Sequence, residues 1–97
     1  MVSIRDFQQL MREICGERDL RRGDFATYAW LVQEVGELAR AMLNRDRRDL
    51  QEEFADVFAW LCSLANVLNV DLEEASVRRY GRGCPKCGKK PCECEFK

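Results

Sequence analysis

The sequence contains no histidine. That removes the commonest general base and the commonest nitrogen ligand for metals, so any metal chemistry must use carboxylates or thiolates. It also lacks an apolar run long enough to span a bilayer. Met1 to Leu10 carry charges and no signal-peptide apolar core, which makes the cytoplasm the default expectation. Charge of one sign is missing too. The formal net charge is -1, so there is no global basic field, and generic nucleic-acid binding is not expected. No strand pattern, internal repeat or low-complexity linker is present.

What is present is helical. With 97 residues, 46% hydrophobic and 34% charged, the chain has room for one small globular domain. A domain of this size is often helped by a metal or by oligomerisation. Ser3 with Asp6 forms a weak capping box, followed by Ile4, Phe7, Leu10 or Met11, and Ile14 at helical spacing. Gly16 and the charged run Glu17 to Gly23 are expected to break that pattern. Asp24 is a good cap for a second helix over about Phe25 to Leu43, with Tyr28, Leu31, Val35, Leu38 and Met42 as its core stripe. Asn44 and Arg45 mark its end. Asp46 can cap a third helix with the stripe Leu50, Phe54, Val57, Leu61, Leu64 and Leu68, closed by Asn69. Asp71 and Glu74 open a short fourth helix, Leu72 to about Tyr80. The expectation is an all-α antiparallel bundle of about four helices over residues 1–80, with a cysteine-rich tail over 81–97. Phe25, Trp30, Phe58, Trp60 and Leu61 cannot all face one core line, which points to a dimer that completes the bundle.

Glu34 and Glu37 are spaced i, i+3, as are Glu53 and Asp56, so each pair shares a helix face on the flank of its apolar stripe. In a tight hairpin centred on Arg45, Glu37 and Glu53 lie at equal distances from the turn, and so do Glu34 and Asp56. Trp30 and Trp60 are also equidistant and should sit together at one end of the carboxylates. A lone Glu pair on a helix is usually a solvated face. Two pairs at matched heights repel one another unless neutralised, and oxygen donors favour a hard cation, Mg²⁺ or Mn²⁺. Such ions bind substrate phosphates alongside carboxylates, which points to phosphoanhydride or phosphate-ester chemistry.

These residues resemble a known family. Trp30-Leu-Val-Gln-Glu-Val-Gly-Glu-Leu-Ala-Arg40, followed by Glu53-Phe-Ala-Asp56-Val-Phe-Ala-Trp60-Leu, looks like the signature of MazG-like nucleotide pyrophosphohydrolases, Glu-Glu-x-x-Glu, a spacer, then Glu-x-x-Asp. The likeness covers roughly Asp24 to Tyr80. It implies an all-α fold, dimeric or a dimer of dimers, and Mg²⁺-dependent hydrolysis of nucleoside triphosphates to the monophosphate and pyrophosphate. It carries the metal ligands over to Glu34, Glu37, Glu53 and Asp56. Gln33 stands where the family's first Glu usually stands, a departure that bears on water activation and rate while leaving those four ligands in place. Without histidine, Glu37 or Glu34 would position or deprotonate the attacking water. Arg78 and Arg79 are candidate phosphate contacts or ordinary solvated helix ends, and Trp30 or Trp60 can stack on a base or pack in a core or interface.

The tail adds a second motif. Cys84-Pro-Lys-Cys87-Gly is a metal knuckle, and Cys92-Glu-Cys94 would complete a closed structural Zn²⁺ site. An iron–sulfur centre or two disulfides fit the same cysteines. Cys15 and Cys62 read as small core residues. Lys86, Lys89, Lys90 and Lys97 make the tail locally basic, and a structural role for it is favoured over contact with phosphate. Two functions follow: a Mg²⁺-dependent pyrophosphohydrolase, or a non-catalytic regulatory module whose zinc tail contacts nucleic acid or protein. The four carboxylates favour the first; Gln33 and the basic tail favour the second.

Overall fold

The computed structural model describes residues 2–95. Lys97 lies outside the described residues. The chain is all-α, with four helices packed as a bundle: α1 Ile4–Arg22, α2 Asp24–Asn44, α3 Arg47–Val67 and α4 Leu72–Tyr80. α3 is the central element. It packs against α2 along one flank and α1 along another, while α1 also touches α4.

The caps explain most of the boundaries. Ser3 Oγ accepts from the Asp6 N–H at 3.0 Å and Asp6 accepts from the Ser3 N–H at 3.2 Å, the reciprocal pair expected for α1. Asp46 accepts from the N–H groups of Arg48 and Asp49 at 2.9 and 3.1 Å and starts α3. Asp71 accepts from the Glu74 N–H at 2.9 Å and starts α4. Arg45, with φ 60°, closes α2 in the left-handed region.

Two expectations are corrected. The charged run after Gly16 does not end the first helix. The helical path bends at Cys15 (φ -137°, ψ 15°) and continues to Arg22, because the run has a tertiary partner. Asp19 is buried and paired with Arg22 at 2.8 Å, and the Cys15 thiol donates to Asp19 at 3.4 Å. Only then does Gly23, with φ 83°, turn the chain, and Gly23 rather than Asp24 is the cap of α2.

The second correction concerns the core. Among the described residues the buried apolar ones are Ala41, Cys62 and Ala65, beside buried Thr27 and Ser63. Much of the expected stripe is exposed instead: Tyr28, Val35 and Met42 on α2, Phe54 and Leu61 on α3, and Leu68 just after it. The most deeply buried apolar residues are small ones, one step around from the large stripe, while Phe7 on α1 stacks on Phe58 of α3 with centroids 5.2 Å apart. What holds α1 to the α3–α4 corner is polar. Buried Gln8 donates to Asn66 at 3.0 Å and to the Val70 carbonyl at 2.7 Å, and accepts from the Leu72 N–H at 2.9 Å. Asn66 returns a bond to the Gln8 carbonyl at 3.1 Å. Buried amides satisfied on every side lock one arrangement, because leaving any of them unmade costs its full desolvation.

Candidate active site and cysteine cluster

α2 and α3 form the hairpin that carries the carboxylates. Glu34 on α2 and Glu53 and Asp56 on α3 each bring an oxygen to within 4.8 Å of the others. Glu53 is half-buried, and its Oε2 is buried with no hydrogen-bond partner. Its acidity shows the strain of this placement. Loss of hydration holds the Glu53 carboxyl above the usual carboxylate range, and the charges of Glu34, Asp56 and Glu37 add to the shift.

Glu37 stands slightly apart. It is near enough to act on Glu53 by charge, but its carboxylate accepts from Arg40 on its own helix. So Glu34, not Glu37, is the residue in close reach of Glu53, and the tight group is three carboxylates with the fourth at its edge.

The tryptophans meet where the hairpin register places them. The Trp30 and Trp60 rings stack with centroids 5.8 Å apart and planes 15° from parallel. Arg22, at the end of α1, lies 4.8 Å from the centre of the Trp60 ring. Arg22 and the buried Asp19 behind it went unrecognised in the sequence. Their one signal is an acid and an arginine three apart within the charged run.

The other expected contacts lie elsewhere. α4 leaves α3 at about 100°. Arg78 and Arg79 line a cavity of about 860 Å³ between α4 and the tail, with Arg82, Gly83, Cys84, Pro85 and Gly88. Within one chain they do not join the carboxylates, which sit a few turns back along α3.

The residues matching the MazG nucleotide pyrophosphohydrolase domain run from 23 to 87. The chain belongs to that family. The match opens at the cap of α2, takes in both carboxylate pairs and ends on the second cysteine of the knuckle. The MazG domain is also similar to the uncharacterized protein YpjD of Bacillus subtilis (strain 168). The alignment is 86 positions long with 36% identity, and the match covers 70% of this chain and 78% of that protein.

A second ligand-bearing group stands at the far end. The sulfurs of Cys84, Cys87, Cys92 and Cys94 all lie within 4.8 Å of one another. Cys84 and Cys94 are 3.7 Å apart and Cys87 and Cys92 are 3.9 Å apart. A tetrahedron with metal–sulfur arms of about 2.3 Å has edges of roughly 3.8 Å. The backbone N–H of Glu93 donates to the Cys87 sulfur at 3.4 Å, and that of Cys94 to the Cys92 sulfur at 3.3 Å. Donation from Glu93 and Lys89 brings the Cys87 thiol down to about 6, while the neighbouring sulfurs, Cys92 first, push Cys94 up to about 12. Thiols this close cannot all ionise without a cation between them. Cys62 has no such partners; burial alone pushes it up to about 11, and it is an inert core thiol.

Proposed function

We propose that this MazG domain hydrolyses nucleoside triphosphates, ribo- or deoxyribo-, to the monophosphate and pyrophosphate with Mg²⁺ or Mn²⁺. The observation that carries the reading is the buried, unpartnered Glu53 oxygen facing Glu34 and Asp56. A buried carboxylate oxygen without a donor is costly unless a cation completes it, and an all-oxygen donor set suits a hard one. Glu34, Glu53 and Asp56 would hold the ion, with Glu37 as the fourth ligand at the edge. When bound, the ion supplies neutralisation of phosphate charge and a more acidic water.

The chain's own residues account for the remaining work. Glu37 is anchored by Arg40 outside the tight group, a position from which a carboxylate can orient a water and take its proton. Glu34 is the other candidate for that role. Trp60 is already covered by Trp30 and Arg22. Trp30 is still 44% exposed and offers the free ring surface on which a base can stack. The stack stands about one turn from Glu34 and Asp56, so base and phosphates have separate places along the hairpin. A homodimer or homotetramer would cover the exposed apolar residues, and a cytoplasmic location would keep the clustered thiols reduced for a metal.

The test is pyrophosphate release across a panel of nucleoside triphosphates with Mg²⁺ and Mn²⁺ titrated. Turnover of at least one substrate is expected, and Glu53→Gln or Asp56→Asn should lower it on the order of 10²-fold or more with helicity unchanged. Bound metal with no turnover of any substrate would establish the non-catalytic reading that Gln33 favours.

The cysteine cluster we assign to structural Zn²⁺. Its sulfur separations match a zinc tetrahedron, and the site is closed. Protein purified without chelator should carry about one zinc per chain. Removing it should disorder the tail while leaving the far-ultraviolet signal of the helices. Purified protein with no zinc, or with the absorption of an iron–sulfur cluster, would refute the assignment.

A further inference from the structure

The overall charge of -1 conceals a segregation. From Ala75 to Cys92 there is no acidic residue, while Arg78, Arg79, Arg82, Lys86, Lys89 and Lys90 all fall there. Residues 1–74 hold nine cationic residues against 15 acidic ones. The fold keeps the two populations apart. α4 swings away from α3, so the cations gather at the end of the molecule opposite the α2–α3 turn.

These cations are largely unneutralised. Arg78 makes only a loose contact with Glu74 at 3.5 Å, and Lys89 one with Glu93 at 3.4 Å. Among the described residues, Arg79, Arg82, Lys86 and Lys90 have no acid within 4.0 Å. All six are exposed. Arg78, Arg79 and Arg82 line the 860 Å³ groove, whose opposite wall is the knuckle backbone at Cys84, Pro85 and Gly88. The groove's acids are partly engaged: Asp71 is bound by Arg5 at 2.8 Å and Glu74 faces Arg78. Four thiolates on Zn²⁺ would add two negative charges, which with Glu93 and Glu95 still leaves this segment positive.

An aromatic ring completes the surface. Tyr80 is 64% exposed and lies between Arg79 and Arg82 in the chain. Isolated phosphate needs cations alone. A cationic groove with an exposed aromatic next to its arginines in the chain offers what a strand of unpaired bases requires, phosphates along the charges and a base on the ring. We propose that α4 and the cysteine knuckle form a docking surface for single-stranded nucleic acid, separate from the carboxylate site. The surface neutralises phosphates through Arg79, Arg82, Lys86 and Lys90 and stacks a base on Tyr80.

The experiment is fluorescence anisotropy of a labelled 20-nucleotide single strand, DNA and RNA, with the zinc-loaded full chain and no added Mg²⁺. Four phosphate contacts give a slope of log K against log salt of about -3, or roughly 50-fold weaker binding from 50 to 200 mM salt. Arg79→Ala with Arg82→Ala should weaken binding at least ~10-fold and flatten that slope by about 1.4. Tyr80→Ala should weaken it about 10-fold and leave the slope unchanged, since stacking releases no counterions. Arg47→Ala with Arg48→Ala, at the far end of α3, should bind as the parent does. Zinc content and circular dichroism check that each variant is folded. The proposal is overturned by no binding at 50 mM salt, or by folded Arg79/Arg82 variants that bind unchanged. It is equally overturned if inorganic tripolyphosphate competes as well as the strand at equal phosphate concentration, or if phosphatidylserine vesicles bind and the strand does not.

Discussion

Glu53 is the residue on which the carboxylate site turns. Asp56 is exposed and can spread its charge into water, but the Glu53 Oε2 is shielded and has no donor. Burial and three nearby carboxylates raise its proton affinity, so the metal-free site stores repulsion at neutral pH. Glu53→Gln removes that charge at nearly constant volume. Without divalent metal, the variant should therefore melt a few degrees higher than the parent at pH 7. Mg²⁺ should raise the melting temperature of the parent and leave that of the variant almost unmoved. A variant that melts lower without metal would show that the repulsion is relieved in some other way. Cys62 makes the contrasting case: it is raised in the same direction by burial alone and carries no chemistry.

At the scale of elements, α1 and α4 are joined by charge as well as by the Gln8–Asn66 amides. Arg5 on α1 bonds Asp71 at 2.8 Å and Glu73 at 3.0 Å. The Arg5 guanidinium, with the Glu74 backbone N–H, holds the Asp71 carboxyl below the usual carboxylate range. A carboxyl whose folded value lies below its unfolded one stabilises the fold above about pH 4, its ordinary value. That contribution disappears as pH falls through the lowered folded value. Arg5→Ala should then melt lower than the parent at pH 7, and the gap should close as the solution is acidified through the carboxylate range. Because the pair is exposed, the gap should also shrink in high salt. A gap that is constant from pH 7 to pH 2 would mean that Arg5 acts by packing alone.

The whole molecule exposes more apolar surface than a lone domain usually does. Phe25 and Leu43 are each 84% exposed, and Phe54 is 60% exposed. Together with Tyr28, Val35 and Met42 they lie along the α2–α3 hairpin, the element that also carries the carboxylates. Large exposed patches of this kind mark association sites, and a closed symmetric assembly is the simplest that hides them. Light scattering at micromolar concentration should give a dimer or tetramer. Phe54→Glu should shift it toward monomer and lower the melting temperature in a concentration-dependent way. A clean monomer for the parent chain would refute the assembly.

Local chemistry was enough to set the helices of this chain, because caps act within a few residues. Ser3, Asp46 and Asp71 each start a helix by satisfying N–H groups two or three positions away. The symmetric placement of Trp30 and Trp60 about Arg45 likewise followed from counting along a hairpin, and the rings are stacked. The cysteine knuckle was legible for the same reason: its ligands are close in sequence. Tertiary structure decided what depends on distant partners. Gly16 and the charges after it look like a helix end until Asp19 is buried and Arg22 lies over Trp60, 38 residues along the chain. The stripe of large apolar residues looks like a core until the helices bury Ala41, Cys62 and Ala65 most deeply and leave about half of the stripe exposed. The carboxylate pairs were visible as pairs, but which three converge was settled by the packing of α2 on α3, with Glu37 left at the edge beside Arg40. Periodicity names the faces of a helix; only packing against a particular neighbour selects the face that is buried.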